Sequence, residues 1–459
     1  MNSKPTIAQK LGDWVSALKY EDLPSEVITS AKLCLLDFVG VALRGATFPQ
    51  VAPVHALLDA LGGHPVATVI GGRRTSLPYT ALANGTFGHS CEFDDSHFHG
   101  GHPGVCIIPA ALATAEQELI DGKALITAIV AGYQAMICSV GPIHRRTLYL
   151  GWHGTKIGGV FGAAAATGKI LNLNALELAN ALAIAASDAS GTMEYDQSGG
   201  EIKRFHAGLA SRSGVEAAML AAAGLTGPLT IFEGKRGIFR LFSEGEEPVI
   251  ERYWQQDFHI LQTMFKLYPC AGTLHAAIDC VAQIQRDHQI ESNNTKEIEV
   301  GIVDWAIPHG AAIIEPTDAI SAQFSLAFSL GLQVVTGAAA IDDFLNPAKW
   351  SDERIQAVAR KVRPVAEPVP VNASELFARV TLTTIDGTVH EAYQEAPRGF
   401  PTLPASSEDL KAKFLSLTAN ILPSGQAEAL IANIDKLEEQ PDLAFVTETF
   451  EKMRRMGPL

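Results

Sequence analysis

The sequence predicts a mainly α protein, a large all-helical domain carrying a smaller α+β lid domain. Three observations lead there. Apolar residues recur at helical spacing through roughly the first 260 residues. Several later helices of that region are crowded with Ala and Gly, as in "GGVFGAAAATGKI", "LANALAIAASDASG" and "VEAAMLAAAG". Near residue 265 the texture changes to alternating, strand-like segments.

Taken in order, Ile7, Leu11, Trp14, Val15 and Leu18 form the first helical face, and Val27, Ala31, Cys34, Leu35 and Phe38 the second, with Ser25 as its expected N-cap. The Ala/Gly-rich helices present small residues on several faces, which lets helices approach closely at the centre of a bundle. "GTKIGGVFG" is not a nucleotide loop, because no strand precedes it and neither phosphate-loop pattern fits. Beyond 265, "EIEVGIVDWAI" alternates Ile298, Val300 and Ile302 against Glu297 and Glu299, a half-buried strand. "ARVTLTTIDGTVHEAYQEA" predicts a hairpin turning at Asp386-Gly387, with Ala378, Val380 and Leu382 on one face. Helical stretches at 272–288 and 319–337 lie beside these strands, and a helical tail spans 406–456. The expected organisation is a discontinuous helical domain, 1–264 and 398–459, interrupted by the lid at 265–397.

Composition narrows the function. The chain has 459 residues, 47% of them hydrophobic and 19% charged, enough to bury large cores. A net charge of −15 argues against nucleic acid or an anionic membrane surface as partner. The six cysteines show no C-x-x-C pair, so they read as reduced thiols. The N-terminus lacks an apolar signal core, and the uncharged run 126–143 contains Gln134 and Pro142, which suits a buried helix better than a membrane span. A soluble, cytoplasmic protein is expected.

Residues 89–109, "HSCEFDDSHFHGGHPGVCIIP", concentrate His89, His97, His99 and His102 with Glu92, Asp94 and Asp95. Gly100, Gly101, Pro103 and Gly104 keep the stretch out of helix. Acids and imidazoles on such a loop suit proton transfer. His97, His99 and His102 with Asp94 or Asp95 also form a possible metal set, and a solvated polar loop is the plain alternative. His153, in "GWHGTKIGG", is either a satisfied core histidine or a second functional imidazole. Lys203, Arg204 and His206 follow the Gly199-Gly200 pair, as if a loop hands cations to a helix start where an anion would sit. Lys266, in "MFKLYPCAG", stands among apolar neighbours at the domain boundary, where desolvation is costly without an anion. Cations gathered near histidines in an acidic chain point to a small polyanion such as a di- or tricarboxylate.

The ordered set "HSCEFDD…HP", "GWHG…GAAAA", "KRFHAG" and "FKLYPC" resembles the MmgE/PrpD family over nearly the whole chain. That family includes 2-methylcitrate dehydratase, cis-aconitate decarboxylase and iminodisuccinate epimerase. The resemblance implies an all-α domain plus an α+β lid, a homodimer, and no metal or organic cofactor. Carried over by motif, the family's acid falls on Glu92, its histidines on His102 and His153, and its lysines on Lys203 and Lys266. His102 is then the principal acid/base, His153 a second proton carrier, and Glu92 the group that orients or tunes His102. Lys203 and Lys266 bind substrate carboxylates, with Arg204 and Tyr268 as neighbours. Asp94 and Asp95 cap backbone N–H groups, while His97 and His99 take solvated, supporting roles. The implied function is a cofactor-independent lyase, a dehydratase or decarboxylase, acting at the carbon α to a carboxylate. This chain reads "EFDD" for "DFDD", and "HPGVC" where the dehydratases carry "HPSDN", so an epimerase stands beside the lyase. A metal-dependent hydratase and a non-catalytic binder are the remaining alternatives.

Overall fold

The computed structural model describes residues 4–195, 200–245, 248–254 and 258–453. The chain divides into two compact units, Met1–Met264 with Ser407–Leu459, and Phe265–Ser406. The expected return to the helical unit was at 398. Residues 398–406 instead stay with the second unit, where Arg398 donates to the Asp279 carboxylate and the Gly399 carbonyl accepts from Phe265 N–H.

The first unit is helical. Helix α1 (Ile7–Ala17) starts from a reciprocal capping box between Thr6 and Gln9. Helix α2 (Ser25–Gly45) corrects the capping expectation: Ser25 is its first helical residue, and its hydroxyl bonds Glu26 instead of a backbone N–H. Then come α3 (Ala52–Leu61), α4 (Leu77–His89), α5 (Gly104–Glu118), α6 (Gly122–Val140), α7 (His144–Tyr149), α8 (Gly154–Ile170), α9 (Ala175–Ala185) and α10 (Ile202–Ala222). Helix α10 packs on both α4 and α8. Glycine makes this possible. A Cβ on Gly208 would lie 2.2 Å from the Leu82 carbonyl oxygen, and one on Gly214 would lie 2.4 Å from the Ala163 Cβ. The helical span Gly122–Tyr149 is long and apolar enough to cross a membrane, yet 94% of its most apolar window is buried within the protein. All six cysteines are buried.

Two short ribbons were not visible in the sequence. Strand β1 (Ala67–Val69) pairs with β2 (Arg73–Thr75), and β3 (Ser96–His97) with β4 (Thr263–Met264). Two or three residues are too few to show an alternating pattern. The tail is helical at Ser407–Thr418, Gln426–Asp435 and Ala444–Lys452; its last expected residues, 454–456, lie outside the described residues. The first tail helix packs on α2. From it Lys413 donates to Asp37 of α2 at 2.6 Å and to the Phe93 carbonyl at 2.6 Å. Both side chains are buried, so Lys413→Ala would strand the Asp37 carboxylate. This variant is expected to lose about 3–5 kcal/mol of stability, seen as a lower denaturation midpoint.

The second unit holds a four-stranded sheet, β6-β5-β7-β8. Strands β5 (Thr295–Ile302), β7 (Ala378–Thr384) and β8 (Val389–Gln394) are antiparallel neighbours. Ile298, Val300, Ile302, Ala378, Val380 and Leu382 are buried, as the alternation requires. The hairpin turns at Asp386-Gly387, where Gly387 has φ 88 and Asp386 Oδ1 accepts from Thr388 N–H. Strand β6 (Val362–Ala366) runs parallel to β5 and was missed, because Pro364 disguises it; at a sheet edge proline is tolerated. The expected helix 319–337 is broken into Ala319–Gln323 and Leu326–Thr336, where the Ser325 hydroxyl caps the second segment through Phe328 N–H.

Candidate active site

Four helix ends supply the side chains. His89 closes α4, the loop 90–103 leads into α5, His153 precedes α8, and Lys203 and His206 sit in the first turns of α10. The N-terminal ends of α5, α8 and α10 carry the positive end of the helix dipole, an environment that favours anions. Within the loop Glu92 holds φ 53, a left-handed conformation that costs a non-glycine residue roughly 1–2 kcal/mol. The next turn brings Asp94 back over His89.

Asp94 is the hub. Its Oδ2 lies 3.0 Å from His89 Nδ1 and 3.0 Å from His102 Nδ1. Burial pushes the Asp94 carboxyl up, but His89 and His102 outweigh it and hold it well below the usual carboxylate range. His102 Nδ1 is also 2.9 Å from the Asp95 carbonyl oxygen. Both neighbours of this nitrogen are acceptors, so Nδ1 carries the proton and Nε2 is the atom left to exchange one. The backbone of His102 is fixed by its N–H donating to Thr155 Oγ1 at 3.1 Å. Gly101 (φ 81) allows that approach, since a Cβ there would lie 2.5 Å from the same oxygen.

Asp95 does the capping its position suggested. Its Oδ1 accepts from Gly104 N–H at 2.9 Å, at the start of α5, and its Oδ2 from the Tyr133 hydroxyl at 2.5 Å. Burial, reinforced by Asp37 and Asp94, pushes this carboxyl up to about 8 against the pull of Tyr133 and Gly104. On the other side, the rings of His89 and His153 stack at 6.0 Å, and those of His89 and His102 lie 4.8 Å apart. His153 Nδ1 meets His206 Nδ1 at 3.0 Å. Burial pushes His89 and His206 down to about 4 and His153 well below its ordinary value, so these imidazoles are neutral at neutral pH. Lys156, one turn into α8, is pushed down to about 8 by burial and donates to the Asp188 carbonyl at 2.7 Å.

Of the residues expected from sequence, His102, His153, Glu92 and Lys203 come together in the first unit. Several expectations need correction. The carboxylate on His102 is Asp94, not Glu92, which forms an ion pair with Lys203 instead. Arg204 is buried and its guanidinium pairs with Glu201 at 2.9 Å. Tyr268 and Lys266 lie in the second unit, both buried. The Tyr268 hydroxyl donates to Asp279 and accepts from Arg398, which occupies it structurally. His97 is buried rather than solvated: β3 pairs it into the ribbon, its Nδ1 accepts from His99 N–H, and its ring packs on His259 at 5.8 Å. His99, only partly buried, packs on Tyr253 instead. Of the paired glycine ahead of Lys203, Gly199 lies outside the described residues. The roles of His89, Asp94 and His206 were missed, although all three stood within the quoted motifs; nothing in their spacing shows which imidazole faces which acid.

A metal could not use the set His97, His99 and His102 as proposed, because the first two turn toward His259 and Tyr253. Among the described residues, the group able to hold one is His89, Asp94 and His102, whose ligand atoms lie within 4.8 Å of one another. Two nitrogens and one oxygen suit zinc or a similar divalent ion.

The buried histidines set the acid stability. Burial holds His89 at about 4, His144 at about 3, and His97 and His153 well below their ordinary value. Unfolded, each titrates near ~6.5, so between about 6.5 and 4 the unfolded chain binds more protons. Stability should fall as pH falls through this window, by up to ~1.4 kcal/mol per pH unit for each such histidine. Asp95 acts in the opposite sense, its stabilisation being lost as pH rises toward 8, but one carboxyl does not offset four imidazoles. Thermal melts should show Tm dropping steeply from pH 6.5 to 4.5.

The same chain order is found in known proteins. The MmgE/PrpD N-terminal domain matches residues 9–251 and the MmgE/PrpD C-terminal domain residues 268–439. A cis-aconitate decarboxylase of Aspergillus terreus is 27% identical over 95% of this chain and 95% of its own length. A cis-aconitate decarboxylase-like protein of Aspergillus oryzae is 25% identical over 95% and 96%, and the Mus musculus cis-aconitate decarboxylase 24% over 96% and 93%. With a helical unit interrupted by an α+β unit, a loop of acids and imidazoles beside α4, and matches that span both units, the chain belongs to the MmgE/PrpD family.

Proposed function

We propose that this protein is a lyase that acts at the carbon α to a carboxylate of a small di- or tricarboxylate, with decarboxylation as its favoured reaction. One observation carries the reading: His102 Nδ1 is locked between the Asp94 carboxylate and the Asp95 carbonyl, leaving Nε2 to move a proton. The names of the relatives support the substrate class. When CO₂ leaves, the electron pair of the broken C–C bond is left on carbon and delocalises toward a neighbouring carboxylate. A nearby ammonium stabilises that charge, and His102 Nε2, once it has taken up a proton from solvent, delivers that proton to the carbon and returns to its lone-pair form. Lys203 is the proposed ammonium, and it would exchange Glu92 for a substrate carboxylate. Lys266 is retained as a second carboxylate-binding cation on its sequence context. The homodimer and cytoplasmic location implied by resemblance remain part of this proposal.

Epimerisation is the second reading. It is favoured by His102 and His153 having separate Nδ1 partners, so that two independent imidazoles are available for one carbon. Incubating a polycarboxylate panel with the enzyme in D₂O, followed by NMR, separates the two. Release of CO₂ or water supports the lyase, and α-deuterium uptake without loss of mass supports the epimerase. No change in any substrate removes both.

Lys203→Gln is expected to lower kcat/KM for the polycarboxylate by roughly 10- to 150-fold, the loss of a charge-assisted contact of about 1.5–3 kcal/mol. Steady-state kinetics checks this, and a folded variant with near-normal kcat/KM would remove Lys203 from the site.

A further inference from the structure

His206 has no assigned role, and its contact with His153 is specific. The two Nδ1 atoms lie 3.0 Å apart, and the rings are 5.2 Å apart and tilted by 42°. Both residues are buried, at 5% exposure. Two neutral imidazoles in this contact share a single proton: one Nδ1 donates and the other accepts. The tautomers are therefore coupled. If His153 donates from Nδ1, its Nε2 is a base and His206 carries its proton on Nε2. If His206 donates, His153 carries its proton on Nε2 and is an acid.

We infer that His206 is the proton store of His153, a relay partner one ring removed from the substrate. The inference rests on the epimerase reading, in which His153 takes a proton from the substrate carbon. The step balances within the pair. His153 Nε2 takes a proton from the substrate carbon, and the C–H electron pair stays on that carbon. His153 then passes its Nδ1 proton to His206 Nδ1. His206 becomes imidazolium with both nitrogens protonated, and His153 is neutral again with its proton on Nε2. Reversal returns the proton to product. The surroundings suit a charge that is only transient. His89, Lys156, and the Tyr195 ring at 6.0 Å face His206, and His89, His102, Lys203 and Tyr195 face His153. Burial, with these neutral or cationic neighbours, keeps the pair neutral at rest. A Cβ on Gly191 would lie 3.3 Å from His206 Cε1 and 3.0 Å from Lys156 Cγ, so the glycine lets this wall close tightly.

The test compares His206→Asn with His206→Ala on the full chain. Asparagine places an amide where Nδ1 lies, so it keeps the hydrogen bond to His153 but cannot take up a proton. A relay predicts that His206→Asn lowers kcat fivefold or more with KM within threefold, and that the kcat–pH profile changes shape. It also predicts that added imidazole restores part of the His206→Ala activity. A His206→Asn enzyme within fivefold of wild-type kcat overturns the relay and leaves His206 as a positioning residue. If His206→Asn does not fold, as judged by circular dichroism, the imidazole experiment decides: no restoration in folded His206→Ala overturns the inference. His153→Ala separates this from the underlying reading. Wild-type activity in that variant removes His153 from the chemistry altogether, whereas an inactive His153→Ala beside a normal His206→Asn rejects only the relay.

Discussion

Replacing His102 by alanine is expected to lower kcat by roughly two to four orders of magnitude, the usual range for a general acid/base. That corresponds to about 2.7–5.5 kcal/mol of transition-state stabilisation. The site gives this histidine two orienting contacts on one nitrogen, to Asp94 and to the Asp95 carbonyl, and a backbone tie to Thr155. Its side chain, unlike that of His89, is partly exposed, at 14% against 0%, so a substrate can reach it. His97→Ala and His99→Ala should each cost less than about tenfold, because these rings belong to the separate cluster around His259 and Tyr253. Steady-state kinetics on the three variants checks the assignment. Equal losses in all three would mean that the loop acts as a unit and that His102 has no special role.

Asp94→Asn should be nearly as damaging, by about 10²-fold or more in kcat, the expected effect of removing a carboxylate that sets an imidazole tautomer. The carboxylate accepts from two Nδ1–H groups at one oxygen. An amide oxygen in that place would keep both hydrogen bonds but not the negative charge, and the flipped amide would turn an N–H toward both rings. In the flipped form both rings must change tautomer, and His102 would present Nε2–H where a lone pair was available; in the other form the imidazolium formed during proton transfer loses its counter-charge. Stability should change much less than activity, because the substitution also removes a buried anion. A variant with normal kcat and an unchanged pH profile would show that Asp94 only holds the loop. The same variant tests the metal alternative, since Asp94 belongs to the set of groups able to hold an ion: metal content that tracks activity across Asp94→Asn and His89→Ala would replace the proton-transfer reading.

Much of the architecture was readable in the sequence because it depends on local periodicity. The apolar faces of α1 and α2, the Ala/Gly-rich helices α8 to α10, and the alternation of β5 and β7 are each determined by residues close in the chain. The edge strand β6 and the two short ribbons were not readable, since their pairing is set by partners far away and their segments are too short or contain proline. The residues of the site were also legible as types: acids, imidazoles and lysines gathered on a glycine-rich loop and at helix starts.

The sequence by itself determined which segments are helical, where the α+β insertion begins, and which motifs carry titratable groups. Tertiary structure alone decided the pairings. Glu92 and Asp94 are two residues apart, yet one meets Lys203 of α10 and the other meets two imidazoles. His97 and His102 are five apart, yet the first is held in a ribbon with β4 and the second against α8. His153 and His206 are 53 residues apart and meet Nδ1 to Nδ1. In each case the partner is selected by where the chain reverses and by which helices glycine lets approach, and burial then converts that proximity into shifted protonation, because a desolvated charge is stable only beside its counter-charge.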